Sequence, residues 1–283
     1  MKQYQAYLFD LYGTLVDIHT DESRPSFWKV VAAYYTAQGA PYTWKTIQAS
    51  YRALCAAETA RLQTRYPDAK IEIDLLPVFR GLYAQKGINA DAALLAETAW
   101  FFRQRSTSHL RAYAGAGELL DALRAAGRSV ILLSNAQSCF TRPELDLLGL
   151  TQRFDHIYIS SEIGFQKPDP RFFIAPLRDL GLDPDDCLMI GNDPFCDVGG
   201  AVAVGMDAVY VRSALSPKES SSRSCHCEPV TDVTGVAIRI PRPSSSALAA
   251  SCPSAHSKGS GSPVLSLPRM DLPRLRRELL PRP

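Results

Sequence analysis

The sequence predicts an α/β protein: a doubly wound, five-stranded parallel sheet with a separate α-helical unit inserted after the first strand. Three observations carry this expectation. The apolar run from Ala6 to Phe9 meets an acid at Asp10 and breaks at Gly13, as a buried strand running into a tight turn does. Residues 16–110 then show apolar positions at helical spacing with almost no strand signal. From Gly115 to Val211 short apolar runs alternate with helical segments, and repeated strand-helix units imply a parallel sheet with helices on both faces.

Taken in order, the first strand is followed by a helical region with two clear apolar faces. Phe27, Val30, Val31, Tyr34 and Tyr35 form one, and Leu94, Leu95, Thr98, Ala99 and Phe102 the other. Gly39-Ala40-Pro41, Tyr66-Pro67-Asp68 and Gly87-Ile88-Asn89 divide the region into about four helices. Beyond it, residues 118–126 read as a helix ended by Gly127, 129–133 as a strand, 143–148 as a short helix ended by Gly149, and 156–159 as a strand. Residues 171–180 form the next helix, 187–190 a strand, 198–204 a helix stopped by Gly205, and 208–211 the fifth strand. The expected division is therefore a core of residues 1–16 and 111–213, a helical unit of 17–110, and a tail of 214–283. Residues 216–263 are rich in Ser, Pro and Ala with little periodicity and read as disordered or loosely attached, while 270–280 could make a short amphipathic helix docking on the core.

Composition narrows the class. At 283 residues and 46% hydrophobic, the chain can bury one good core and a smaller appended unit. Its 31 Lys and Arg against 29 Asp and Glu leave a net charge of +2, without the concentrated basic face that nucleic acid requires. No apolar run reaches bilayer-spanning length, and Met1-Lys2-Gln3-Tyr4-Gln5 leads into a strand instead of a signal-peptide core, so no membrane partner and a cytoplasmic location are expected. The 7 cysteines lack zinc-finger spacing and suit free thiols in a reducing compartment. Cys225-His226-Cys227 is the one cluster, and it lacks two further ligands for a soft metal.

Ligands of such sheets bind beyond the carboxyl ends of the strands, and four motifs fall there. Asp10 is the candidate nucleophile, since a strand ending in a carboxylate at a glycine turn presents that carboxylate together with backbone amides. Thr14 can orient it through a hydroxyl hydrogen bond, and Gly13 lets the backbone turn and approach a substrate closely. Ser134-Asn135 follows the second core strand. Lys167 stands in Gln166-Lys167-Pro168-Asp169-Pro170, where an ammonium would stabilise charge on Asp10 and on a transition state. After the strand ending at Ile190 come Gly191-Asn192-Asp193-Pro194-Phe195-Cys196-Asp197. Asp193 and Asp197, four positions apart, can share a hard divalent cation with Asp10 and a backbone carbonyl, that of Tyr12; either Asn192 or Asp193 would reach the ion, and magnesium is expected.

These motifs, in this order, resemble those of the haloacid dehalogenase superfamily of aspartate-nucleophile hydrolases over roughly residues 4–211. The resemblance implies a Rossmann-like core and a helical cap that closes over the site, selecting substrates and excluding water. It also implies that Ser134 and Asn135 bind the transferring group and that Lys167 is catalytic. Members of the family carry Asp-x-Asp-x-Thr at the first motif, whereas this chain has Tyr12 at the second acid, as the haloacid dehalogenases do. Asp193 with Asp197 looks instead like a phosphatase metal site, and Phe173 stands where the dehalogenases have tyrosine. The implied function is a magnesium-dependent phosphatase of a small phosphorylated metabolite, acting through an aspartyl-phosphate; a 2-haloacid dehalogenase or a non-catalytic binding protein is the alternative. His19, or the phenol of Tyr12 itself, could replace the missing acid. Arg61, Arg65 and Arg103 are the cap cations that could select substrate.

Overall fold

The computed structural model describes residues 2–217 and 271–280, so the Cys225-His226-Cys227 cluster and most of the expected tail lie outside the described residues. β1 (Ala6–Phe9) leads into β2 (Val16–Thr20), after which come α1 (Pro25–Ala37), α2 (Trp44–Arg65), α3 (Leu75–Ala84) and α4 (Ala92–Ser106). The chain returns through β3 (Thr107–Ala112) to α5 (Ala116–Ala125), β4 (Ser129–Ser134), α6 (Ser138–Leu147), β5 (His156–Ile159), the single turn α7 (Ser160–Ile163) and α8 (Pro170–Leu180). Next are β6 (Cys187–Gly191), a π-helical turn over Pro194–Gly199, α9 (Gly200–Ala203), β7 (Asp207–Tyr210) and, near the end, α10 (Leu272–Leu279). No described helix is long and apolar enough to cross a membrane.

Five strands form one parallel sheet in the order β5-β4-β1-β6-β7. Strand alternation sends side chains to both faces, and both are apolar. Tyr7, Phe9, Val130, Leu132, Leu188 and Ile190 join the cluster under α5, α6 and α10, while Ala6, Leu8, Ile131, Leu133, Cys187 and Met189 join the one under α8 and α9. The amphipathic pattern at the C-terminus becomes α10, whose Leu272, Leu275 and Leu279 are buried. The chain order reverses beside β1, which lies between β4 and β6, so the carboxyl ends of those three strands lie side by side at the switch point where ligands of such sheets bind.

The helical unit has its own aromatic core of Phe27, Trp28, Tyr35, Phe79, Tyr83 and Phe102, and α6 inserts Phe140 into it. Val30, expected on the apolar face of α1, is instead 41% exposed. Residues 16–110 are not without strands. β2 and β3 pair antiparallel, Val16 opposite Ala112 and Ile18 opposite Leu110, and form the two-chain ribbon joining helical unit and sheet. Each strand is too short to signal itself, and pairing across about 90 residues is a tertiary event. α6 also begins at Ser138, not at residue 143: Pro143 lies inside it, giving up one backbone bond while Phe140 and Leu145 are buried on opposite sides of the junction. The helix expected at 198–204 is divided into the π-helical turn and α9, because Asp193 caps the chain earlier, accepting from Phe195 N and Cys196 N at 2.8 Å each.

A second seam ties the helical unit to the sheet. Ile71 bridges antiparallel to Phe165, Gln166 N donates to the Lys70 carbonyl at 2.9 Å, and Glu72 N to the Gly164 carbonyl at 3.1 Å. Within this seam Glu72 accepts from Gln137 Nε2 at 2.8 Å and Ser160 Oγ at 3.2 Å. Burial pushes its carboxyl up from 4.5 to about 7, against the opposing effect of those two hydrogen bonds. The folded protein therefore holds a proton there that the unfolded chain has released, so this stabilising contribution is complete below 4.5 and lost as pH rises through about 7. The melting temperature of the wild type should accordingly fall more between about pH 5 and about pH 8 than that of Glu72→Gln. Parallel profiles for the two would refute this.

Candidate active site

Asp10 stands one residue past β1, its amide bonded to the Ile190 carbonyl of β6 at 2.9 Å. Hydrogen bonds within the loop fold Leu11–Val16 back on itself: the Leu11 carbonyl accepts from Leu15 N at 2.8 Å and Val16 N at 2.9 Å. Gly13 is obligatory in this turn. Its φ is +88°, and a Cβ there would lie 2.2 Å from Asn192 Nδ2. Gly191 is constrained likewise, since a Cβ would lie 2.2 Å from Asp197 Oδ2.

Lys167 is 2% exposed, and its Nζ donates to Asp10 Oδ1 at 2.8 Å, to the Leu133 carbonyl at 2.8 Å and to Asp197 Oδ1 at 2.7 Å. All three ammonium hydrogens are thus taken. Burial alone would lower this lysine, but the Asp10 and Asp197 carboxylates outweigh it and hold the ammonium above the ordinary lysine range. Burial also pushes Asp197 up to about 6, with Lys167 opposing. The second oxygen of Asp197 accepts from Asp193 N at 2.9 Å. Thr14 Oγ1 donates to Asp10 Oδ2 at 3.1 Å, so each oxygen of the candidate nucleophile is fixed by a separate donor. Asp10, Thr14, Lys167 and Asp197 therefore converge in one buried cluster.

Asn192, not Asp193, faces Asp10. One polar end of its amide lies 3.2 Å from both Asp10 Oδ2 and the Tyr12 carbonyl. With Nδ2 inward the amide donates to both; with Oδ1 inward, three oxygens converge within reach of a small hard cation whose ligands stand about 2.1 Å away. The donor set thus fits magnesium through Asp10, the Tyr12 carbonyl and Asn192, although with a single carboxylate. Among the described residues no group of three His, Cys, Asp or Glu side chains could hold a metal. Asp193 turns away to cap the next turn, and Asp197 is engaged by Lys167, so the expected pairing of those two acids about a cation corresponds to neither side chain's position.

The other candidates divide cleanly. The Ser134 hydroxyl is buried at the end of β4, beside β1, and finds no hydrogen-bond partner among the described residues, which leaves it available to an incoming oxyanion. Asn135 uses both amide ends on Lys167: Oδ1 accepts from its backbone N at 2.7 Å and Nδ2 donates to its carbonyl at 3.0 Å. It holds the lysine's loop. The Tyr12 phenol points to α6, donating to Glu144 and lying 3.0 Å from Thr141 Oγ1. Burial and the Glu144 charge raise it beyond the ordinary tyrosine range, so it is a poor proton donor. His19 is exposed on the ribbon with Nδ1 2.8 Å from Ser108 Oγ, and Phe173 is a core ring packed against Gly200. Arg61 pairs with Glu58 at 2.6 Å on the surface of α2, and Arg65 lies over the Tyr66 ring. Arg103 binds Glu144 at 2.6 Å. Glu144 and Thr141 escape a sequence reading because they share a helical face with Phe140 only when α6 starts at Ser138.

Comparison with known proteins shows which family the chain belongs to. The family of haloacid dehalogenase-like hydrolases matches residues 4–205. The chain belongs to that family. The chain is 37% identical over 119 residues to a phosphoserine phosphatase of Thermus thermophilus, a match covering 42% of the chain and 47% of the relative. It thus spans about half the length of that phosphatase. It is 28% identical over 223 residues to (S)-2-haloacid dehalogenase 1 of Pseudomonas sp. strain CBS-3, covering 78% of the chain and 90% of the relative. Among solved structures, a HAD phosphatase from Thermococcus onnurineus is similar at 20% identity, with a TM-score of 0.49 over 76% of this chain and 90% of the other.

Proposed function

We propose that this hydrolase cleaves small phosphorylated metabolites whose leaving groups need no proton, such as acyl or aryl phosphates, with magnesium assisting. The observation that carries the reading is the pairing of a cation-compatible oxygen cluster, Asp10 Oδ2, the Tyr12 carbonyl and Asn192, with a Tyr12 phenol directed away from it. When bound, magnesium would supply charge to offset the repulsion between a carboxylate and a phosphate dianion. Asp10, oriented by Thr14 and Lys167, attacks phosphorus as the bond to the leaving oxygen breaks and its electrons depart with the leaving group. The unpartnered Ser134 hydroxyl donates to a phosphoryl oxygen, and Lys167 offsets the negative charge. Water then attacks phosphorus of the aspartyl-phosphate as the bond to the Asp10 oxygen breaks, freeing the Asp10 carboxylate and dihydrogen phosphate, which keeps both of the water's protons. The helical unit acts as the cap that excludes bulk water.

Loss of the acid at position 12 should slow alkyl phosphates most, because general acid help is commonly worth about 10²- to 10⁴-fold. In a screen of phosphorylated metabolites with 2-haloacids alongside, acyl and aryl phosphates should turn over about 10²-fold faster than sugar phosphates, and chelator should suppress them. Asn192→Asp adds a second carboxylate and should tighten magnesium binding roughly tenfold in calorimetric titration of the protein alone. Fast turnover of sugar phosphates by Tyr12→Phe would refute the leaving-group preference. A second reading, 2-haloacid dehalogenase, is favoured by the other orientation of Asn192, in which a neutral amide serves Asp10 and no cation is needed. Halide release indifferent to chelator, without phosphate release, would select it.

A further inference from the structure

The Tyr12 phenol, displaced from any acid role, belongs to a buried network crossing the junction of helical unit and sheet. Glu144 on α6 is 1% exposed; it accepts from the phenol, and from Arg103 Nε at 2.6 Å and Nη2 at 3.2 Å. Arg103 lies in the last full turn of α4, directly before the ribbon strand β3, and its guanidinium carbon stands 5.6 Å from the Tyr12 ring centroid and 5.3 Å from that of Phe140. The guanidinium is thus held by a bidentate carboxylate and two rings. Any displacement of α4 would therefore pull, through Arg103, on the carboxylate that anchors Tyr12.

What Tyr12 carries makes this consequential. Its carbonyl is one of the oxygens facing Asn192, and Gly13, next along, donates its amide to the Val16 carbonyl at 2.7 Å. The side chain is therefore a lever on the turn that sets Asp10 and Thr14.

We propose that Glu144 is a positioning residue that couples the seating of the helical unit to the geometry of the Asp10–Thr14 loop, with Arg103 and Tyr12 as its two arms. The proposal rests on the hydrolase site described above. It is distinct from a packing role, because the two arms, one on each side of the junction, must act through one carboxylate.

Arg103→Met, Tyr12→Phe and the double variant are compared in the full chain, by kcat and KM on the best substrate of the screen and by amide hydrogen exchange across residues 11–15. Arg103→Met should lower kcat roughly ten- to a hundredfold, more than it changes KM, as misplaced catalytic groups do. Exchange in residues 11–15 should quicken although the substitution lies on α4. The double variant should lose little beyond the worse single one, since either change disconnects the same coupling. If Arg103→Met fails to fold, Arg103→Met with Glu144→Gln removes both charges and is read in the same two ways. Multiplicative losses in the double variant, or unchanged exchange in residues 11–15, would overturn the proposal. An Asp10→Asn variant with wild-type turnover would overturn the active-site reading instead, and leaves the exchange result standing.

Discussion

Asp10→Asn is expected to reduce turnover at least about 10⁴-fold while the protein still folds and melts as one unit. The amide has the same shape and keeps an oxygen for Thr14 or Lys167, but it is not a nucleophile toward phosphorus or carbon. Lys167 retains Asp197 at 2.7 Å as its counter-charge, so the buried ammonium does not lose its only anion. The measurement is single-turnover and steady-state rate on the best substrate of the screen, with a melting curve for each protein. Undiminished turnover would end the assignment of Asp10 as nucleophile, whichever atom is attacked.

Lys167→Met should do double damage. It removes the ammonium that faces Asp10 and leaves two buried carboxylates, Asp10 and Asp197, without their shared cation. Breaking such a buried pair by removing one partner costs about 3–5 kcal/mol, a fall in melting temperature of roughly 10 °C for a domain of this size. Activity should fall by a factor of at least about 10³, because the charge it supplies is fixed in place before reaction. The two losses separate in Lys167→Met with Asp197→Asn. Removing one of the stranded charges should recover most of the stability and none of the activity. Were activity to return with stability, Lys167 would be a structural cation only.

The amino-acid sequence alone determined the alternation of strands and helices, the four-helix insertion and the placement of the Asp10, Ser134 and Asn192–Asp197 motifs at strand ends, whereas Lys167 lies beyond the turn α7. Those features are written in local signals: apolar period, glycine stops and strand-terminal acids. Asp10, Thr14 and Lys167 were legible because each follows a recognisable strand or sits in a distinctive turn, and the structure brings Thr14 and Lys167 each within hydrogen-bonding distance of Asp10.

Tertiary structure decided what those signals leave open. The choice between Asn192 and Asp193 turned on which side chain the chain directs past Gly13 and which caps the following turn, a matter of loop path that adjacent residues in a sequence do not distinguish. The β2–β3 ribbon exists only because its strands meet across the intervening helices. Tyr12 read as a lost acid; its attachment to Glu144 and Arg103 depends on three separate elements packing together and on α6 starting before Pro143. Charge pairing and hydrogen bonding at this site join residues more than 100 positions apart, as Lys167 and Asp10 are, and such partners are chosen by the fold, not by neighbours along the chain.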